Sequence, residues 1–128
     1  MKLRIRGDSI RLRLTQTEVR QLVERGRVEE RTRLGLLPGE SLAYGVEAGS
    51  AATGIVCSWA NGRLLVTVPP ATLAAWASGP DLALEASQPV AEGATLRILV
   101  EKDLACAKPR PDEDDSDAFP NPATCGET

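Results

Sequence analysis

The chain has no histidine, and its 128 residues hold only two Trp, one Tyr and one Phe. Without imidazole it lacks the commonest general base and the commonest metal ligand. A papain-like arrangement is excluded, and any metal would have to rest on thiolates and carboxylates. Cysteine is sparse: the three are Cys57, Cys106 and Cys125, an odd count that argues against a disulfide framework. No apolar run is long enough to span a bilayer, and the first residues alternate charge with apolar side chains, unlike a signal peptide. No glycine-rich phosphate loop and no nucleic-acid-binding module is present. The expectations are a cytoplasmic protein with no nucleic acid and no membrane among its partners.

The length suits one domain with a real core. The net charge of −3 is unevenly placed: residues 1–34 hold ten Lys/Arg against five acids, and residues 101–128 hold eight acids against three bases. The two ends are expected to meet in the fold rather than to seek an external polyanion. Leu3 and Ile5 alternate with Lys2, Arg4 and Arg6. After Gly7-Asp8, Ile10, Leu12 and Leu14 alternate with Arg11 and Arg13. A hairpin turning at Gly7-Asp8 puts Ile5 opposite Ile10 and Arg4 opposite Arg11. Like charges directly opposed are destabilising, so an anion should lie over that face. Glu29, Glu30 and the acidic tail are the internal candidates, and a phosphate-bearing ligand is the external one.

Thr15 and Glu18 have capping-box spacing, and Gly26 suits the end of a helix over residues 16–25. Strands follow at 27–34 and around Leu42–Val46. Asn61-Gly62 predicts a hairpin pairing Trp59 with Leu64 and Cys57 with Val66, which makes Cys57 an inert core thiol. Pro70 starts a second short helix carrying Leu73 and Trp76, with Trp76 read as a core anchor. Strands at Leu82–Ala86 and Leu96–Val100 complete a β-β-α-β-β-β-β-α-β-β order. No internal repeat is evident. Hairpins dominate and no β-α-β alternation appears. The expected fold is therefore α+β: a mostly antiparallel sheet, curled or barrel-like, with one or two short helices. Residues 1–105 form the domain, and 106–128 form an extended acidic, Pro-rich tail packed on it.

Three sites are candidates. Arg4, Arg11 and Arg13 form an anion-binding face. With Arg6 and with Glu29, Glu30, Glu101 and Asp103 to hold a divalent ion, they have the ingredients of a triphosphate-tunnel site, but Val28-Glu29-Glu30-Arg31 lacks the alternating acids such enzymes carry. Asp103, Cys106, Asp114 and Cys125 are a candidate metal set. The thiol spacing matches no C-x-x-C pattern, and the acidic run fails as a calcium loop, with Asp117 where the turn glycine belongs. Cys106 near Lys102, Lys108 and Arg110 is a candidate reactive thiol with no base beside it. No catalytic residue is assigned, and no cofactor follows from the sequence.

At MKLRIRGDSIRLRLTQTEV and again at LVEKDLACAKPRPDEDDSDAFPNP, the chain resembles a family of small bacterial proteins known only as a domain of unknown function. The similarity runs from Met1 through Cys125. Leu104 stands where members more often carry phenylalanine, which weakens an aromatic anchor for the tail. The resemblance implies a bacterial, cytosolic protein and supplies no activity, cofactor or catalytic residue. The leading reading is a non-enzymatic binding module whose partner is a protein or a small anionic ligand. The alternative is a small metal- or phosphate-handling enzyme using the arginine hairpin and the Glu101–Cys125 segment together.

Overall fold

Short-range rules place most of the elements. In the computed structural model, residues 1–49, 54–105 and 116–120 are described. Strand β1 (Lys2–Ile5) turns at Gly7, whose φ of 53° suits glycine, into β2 (Ser9–Leu14), in the register read from the alternation. Thr15 then caps α1 (Gln16–Arg25): its hydroxyl accepts from the Glu18 amide while Glu18 accepts from the Thr15 amide. Gly26, left-handed at φ 80°, closes the helix and starts β3 (Arg27–Arg33), which returns through β4 (Ser41–Ala48). Asn61-Gly62 joins β5 (Val56–Ala60) to β6 (Arg63–Val68), both turn residues having positive φ. Helix α2 (Pro70–Ser78) opens on proline, and β7 (Ala83–Pro89) and β8 (Thr95–Lys102) follow.

The sheet is not mostly antiparallel and does not form a barrel. There are two four-stranded mixed sheets, ordered β1-β2-β8-β7 and β3-β4-β6-β5. Each hairpin is antiparallel, but the central pairs β2–β8 and β4–β6 are parallel. A parallel pair needs a long crossover. Between β2 and β8 that crossover is the whole second sheet, so no local β-α-β signal announces it.

The same topology exposes a duplication that residue identities hide. Each half of the chain is a β-β-α-β-β unit that gives one hairpin to each sheet. Equivalent core positions are 54 residues apart: Leu12 and Val66, Leu14 and Val68, Val19 and Leu73, Leu22 and Trp76, Val46 and Val100, all buried. The hairpin registers Ile5↔Ile10 and Trp59↔Leu64, and the parallel registers Ser9↔Arg97 and Ala43↔Arg63, obey the same offset. What repeats is apolar burial at fixed positions; the side chains differ at nearly all of them.

The two sheets enclose one core, built from Ile10, Leu12, Leu14, Val46, Val66, Val68, Ile98 and Val100 and closed by Leu22 and Trp76 of the helices. Their edges meet through side chains. At one seam the Met1 amine reaches Glu30 of β3. At the other the Gln88 amide of β7 spans the Cys57 backbone of β5. The helices pack on each other where the central strands finish: the Gly26 carbonyl accepts from Ala48, and the Gly79 carbonyl accepts from Lys102 Nζ. The turns at 6–8, 34–40, 61–62 and 90–94 therefore lie at the opposite, open end.

Candidate functional site

Alternation along β2 sends Ile10, Leu12 and Leu14 into the core and Ser9, Arg11 and Arg13 outward. The hairpin register places Arg4 beside Arg11, and the parallel register brings Arg97 and Glu101 of β8 alongside Ser9 and Arg13. The like charges are therefore answered from β8. Glu101 Oε1 lies 2.6 Å from Arg11 Nε and Oε2 lies 4.0 Å from Arg13 Nε. The closer contact is a charge contact rather than an aligned hydrogen bond, since that buried oxygen has no hydrogen-bond donor. Lys2 Nζ sits 3.3 Å from Asp103 Oδ2, and Arg97 Nε donates to Glu85 at 2.8 Å.

Arg4 and Arg6 have no ion-pair partner among the described residues. They face a concavity of about 540 Å³ lined by Arg4, Arg6, Gly7, Ser9, Arg11 and Arg97. Two guanidinium groups without carboxylates, beside two that have one each, leave a local excess of positive charge with fork-shaped donors. Arg13 sits farther along β2, toward Lys2 and Asp103, and does not line this concavity. Arg6 entered the sequence reading only with the triphosphate-tunnel set, and Arg97 was not singled out at all. Arg6 continues the alternation past the strand end, whereas Arg97 joins only through the parallel pairing.

Glu29 and Glu30, also proposed for this face, lie elsewhere, and residues 106–115 and 121–128 of the acidic tail fall outside the described residues. Glu29 is on the outer face of the second sheet, 2.9 Å from both Arg27 Nη2 and Arg63 Nε. Glu30 and Glu18 each hold the Met1 amine at 2.6 Å, and Tyr44 donates to Glu30 at 3.2 Å. Burial works against charge on the amine, but the hydrogen bonds from it to Glu18 and Glu30 outweigh burial and hold its pKa above the ordinary 8.0. Burial likewise opposes the Glu30 carboxylate, and the amine's hydrogen bond and charge, with hydrogen bonds from Glu18 and Tyr44, hold it below 4.5. The carboxylates of the triphosphate-tunnel reading are thus divided between two sheets, and the space between the sheets is filled by apolar side chains.

Of the candidate metal set, Asp103 is buried and paired with Lys2, while Cys106, Asp114 and Cys125 lie outside the described residues. Lys108 and Arg110 of the reactive-thiol surroundings lie outside them too. No group of three His, Cys, Asp or Glu side chains that could hold a metal ion occurs among the described residues. Cys57 is buried, and burial pushes its thiol pKa up, as befits an inert core residue.

Residues 116–120 lie at the helix end. Asp117 Oδ2 accepts from the Thr17 amide and its carbonyl from Gln16. Phe119 bridges Leu104, donating to Asp103 and accepting from Ala105. Hydrogen bonds from Thr17, with a smaller opposing effect of burial, hold the Asp117 carboxyl below its usual range. Lys102, itself buried, points its ammonium at the Gly79 carbonyl (2.8 Å) with the Trp76 and Phe119 rings 5.6 and 5.7 Å away. This buried cation between two rings was not foreseen from the sequence; the Phe119 ring meets Lys102 at the end of β8.

A duplicated α+β unit with an arginine-lined outer concavity is thus the class that fold and site define. The chain belongs to the family of unknown function DUF7009, whose model matches residues 1–123. No curated protein and no solved structure matches it.

Proposed function

We propose that this protein is a non-enzymatic binding module of the cytoplasm that takes a small anionic ligand, of the phosphate or polycarboxylate kind, on the outer face of β1, β2 and β8. One observation carries the reading: Arg4 and Arg6 lack carboxylate partners among the described residues and border the same concavity as Arg11 and Arg97. Guanidinium groups so placed meet an anion through paired, charge-assisted hydrogen bonds. Arg13 adds long-range attraction from beside Glu101. The free, buried thiol of Cys57 supports the cytoplasmic part of the proposal. A small enzyme using these arginines with the Glu101–Cys125 segment is the second reading, and no observation on the described residues favours it over the first.

The test is calorimetric titration of the full chain with tripolyphosphate at low salt, beside Arg4→Gln/Arg6→Gln. Saturable binding weakened about tenfold or more in the variant is expected, since charged hydrogen bonds contribute about 1.5–3 kcal/mol each. Absence of binding to tripolyphosphate, sulfate and citrate would overturn the proposal.

A further inference from the structure

The open end carries most of the large apolar side chains that the fold leaves in water. In the β3–β4 loop, Leu34 is 70%, Leu36 102% and Leu37 67% exposed, and Ile5 and Trp59, at equivalent places in the two halves, are each 61% exposed. Scattered exposed leucines need no explanation. These are grouped on turns and adjoining strand ends at one end of the molecule, and three of them occupy four consecutive positions.

The loop presents them in an ordered way. Leu34 and Gly35 amides donate to the Glu40 carbonyl (2.7 and 3.1 Å), and the Glu40 amide donates to the Leu37 carbonyl (3.0 Å). The Glu40 carboxylate accepts from the Leu37 amide at 3.3 Å. Loop backbone groups and the one acid of the loop are thus engaged with each other, and the leucines point away. Arg31 and Arg33 stand at its base beside Leu36, Leu37 and Pro38 around a hollow of about 300 Å³. Neither has an ion-pair partner among the described residues, and Arg6 is equally unpaired at the same end. The equivalent loop of the second half, Val90–Ala94, carries Glu92 and no leucine.

We propose that this open end docks on an anionic lipid surface, with Leu36 and Leu37 entering the acyl boundary and Arg31, Arg33 and Arg6 set against lipid phosphates. Apolar tips bordered by arginines suit a layered partner whose interior is apolar and whose face is negative. Trp59 is a residue type that favours the headgroup level. A peptide would be held in a groove; Leu36 is fully exposed and protrudes instead. A lipid plane reaches the tips of several turns at once. The sequence-based expectation of no membrane partner rested on the lack of a spanning run, and among the described residues no helix is long and apolar enough to cross. Contact from one side requires no such helix.

The proposal shares Arg6 with the Arg4–Arg6 concavity but rests on the leucine loop, and it is tested apart from that concavity. The full chain is co-sedimented with phosphatidylglycerol-containing vesicles and with pure phosphatidylcholine vesicles at low salt, beside Leu36→Ser/Leu37→Ser. The variant's urea midpoint and its tripolyphosphate titration are recorded in parallel. The expected result is partition onto the anionic vesicles, little onto the neutral ones, and a loss of about tenfold or more in the variant, with midpoint and titration unchanged. No binding to anionic vesicles, or equal binding by the variant, would overturn it. So would a concentration-dependent dimer that the substitution abolishes in the absence of vesicle binding, which would assign the leucines to a second copy of the chain.

Discussion

The two seams between the sheets occupy equivalent places in the duplicated fold but use opposite chemistry. Where β1 approaches β3, a charged amine is held by Glu18 and Glu30. Where β5 approaches β7, a neutral amide satisfies both backbone groups of Cys57. The interior shows the reverse: Leu22 and Trp76, or Leu14 and Val68, differ in size yet serve the same purpose of filling one core. Duplication has preserved burial and left the polar margins free to diverge. The features that mark a site, Arg4, Arg6 and the leucine loop, all belong to the first half or its turns.

The largest effects test the shared interior. Trp76→Ala should cost about 3–5 kcal/mol and Leu22→Ala about 2–5 kcal/mol by urea unfolding. A cost below about 1 kcal/mol at either position would break the equivalence. Trp76 also faces Lys102, so its loss leaves a buried ammonium without one of its two rings.

A smaller effect tests a difference. Gly45 and Leu99 are equivalent, but β3 passes so close to Gly45 that a Cβ there would meet the Val28 carbonyl oxygen and the Glu29 Cα. Gly45→Ala should cost about 1–3 kcal/mol through overpacking, read from the same denaturation curves. A neutral result would mean that β3 and β4 can separate at no cost.

The smallest effect separates the seams by pH. The amine's raised pKa makes its contribution complete below the ordinary value of 8.0 and lost as pH rises through the folded value. Glu30's lowered pKa makes its contribution complete above 4.5 and lost as pH falls through the folded value. The urea midpoint should fall at both extremes, modestly, because the Glu30 side chain is 42% exposed and screened by water. Glu30→Gln should flatten the acid limb and weaken the alkaline one. An acid limb of unchanged steepness in that variant would remove Glu30 from the account.

Much of this was legible because it is local. Gly7-Asp8, Asn61-Gly62, Thr15 with Glu18, and Pro70 each act within a few residues, and the hairpins and helices they predict are present. The parallel pairs were not legible, since β2 and β8 are separated by most of the chain. The duplication escaped notice because periodic burial repeats while identities do not. At the site, Arg4 and Arg11 could be paired from the hairpin alone. Glu101 and Asp103 were noticed as carboxylates, but their role against Arg11, Arg13 and Lys2 depends on the parallel register, as does the place of Arg97. Exposure of Leu34, Leu36 and Leu37 carried a signal in the run itself, three leucines beside Gly and Pro, the first of them read as the end of the strand at 27–34.

Gln88 has a consequence for how the molecule behaves in a crowd. An uncapped outer strand is a template on which another chain can add itself, rung by rung. By giving the Cys57 amide an acceptor and its carbonyl a donor, one side chain occupies a rung that an incoming strand would need near the start of β5. The blockade lies within the chain, so it holds at any concentration, and it protects a strand whose neighbours Val56 and Trp59 are exposed and would otherwise invite polymer growth.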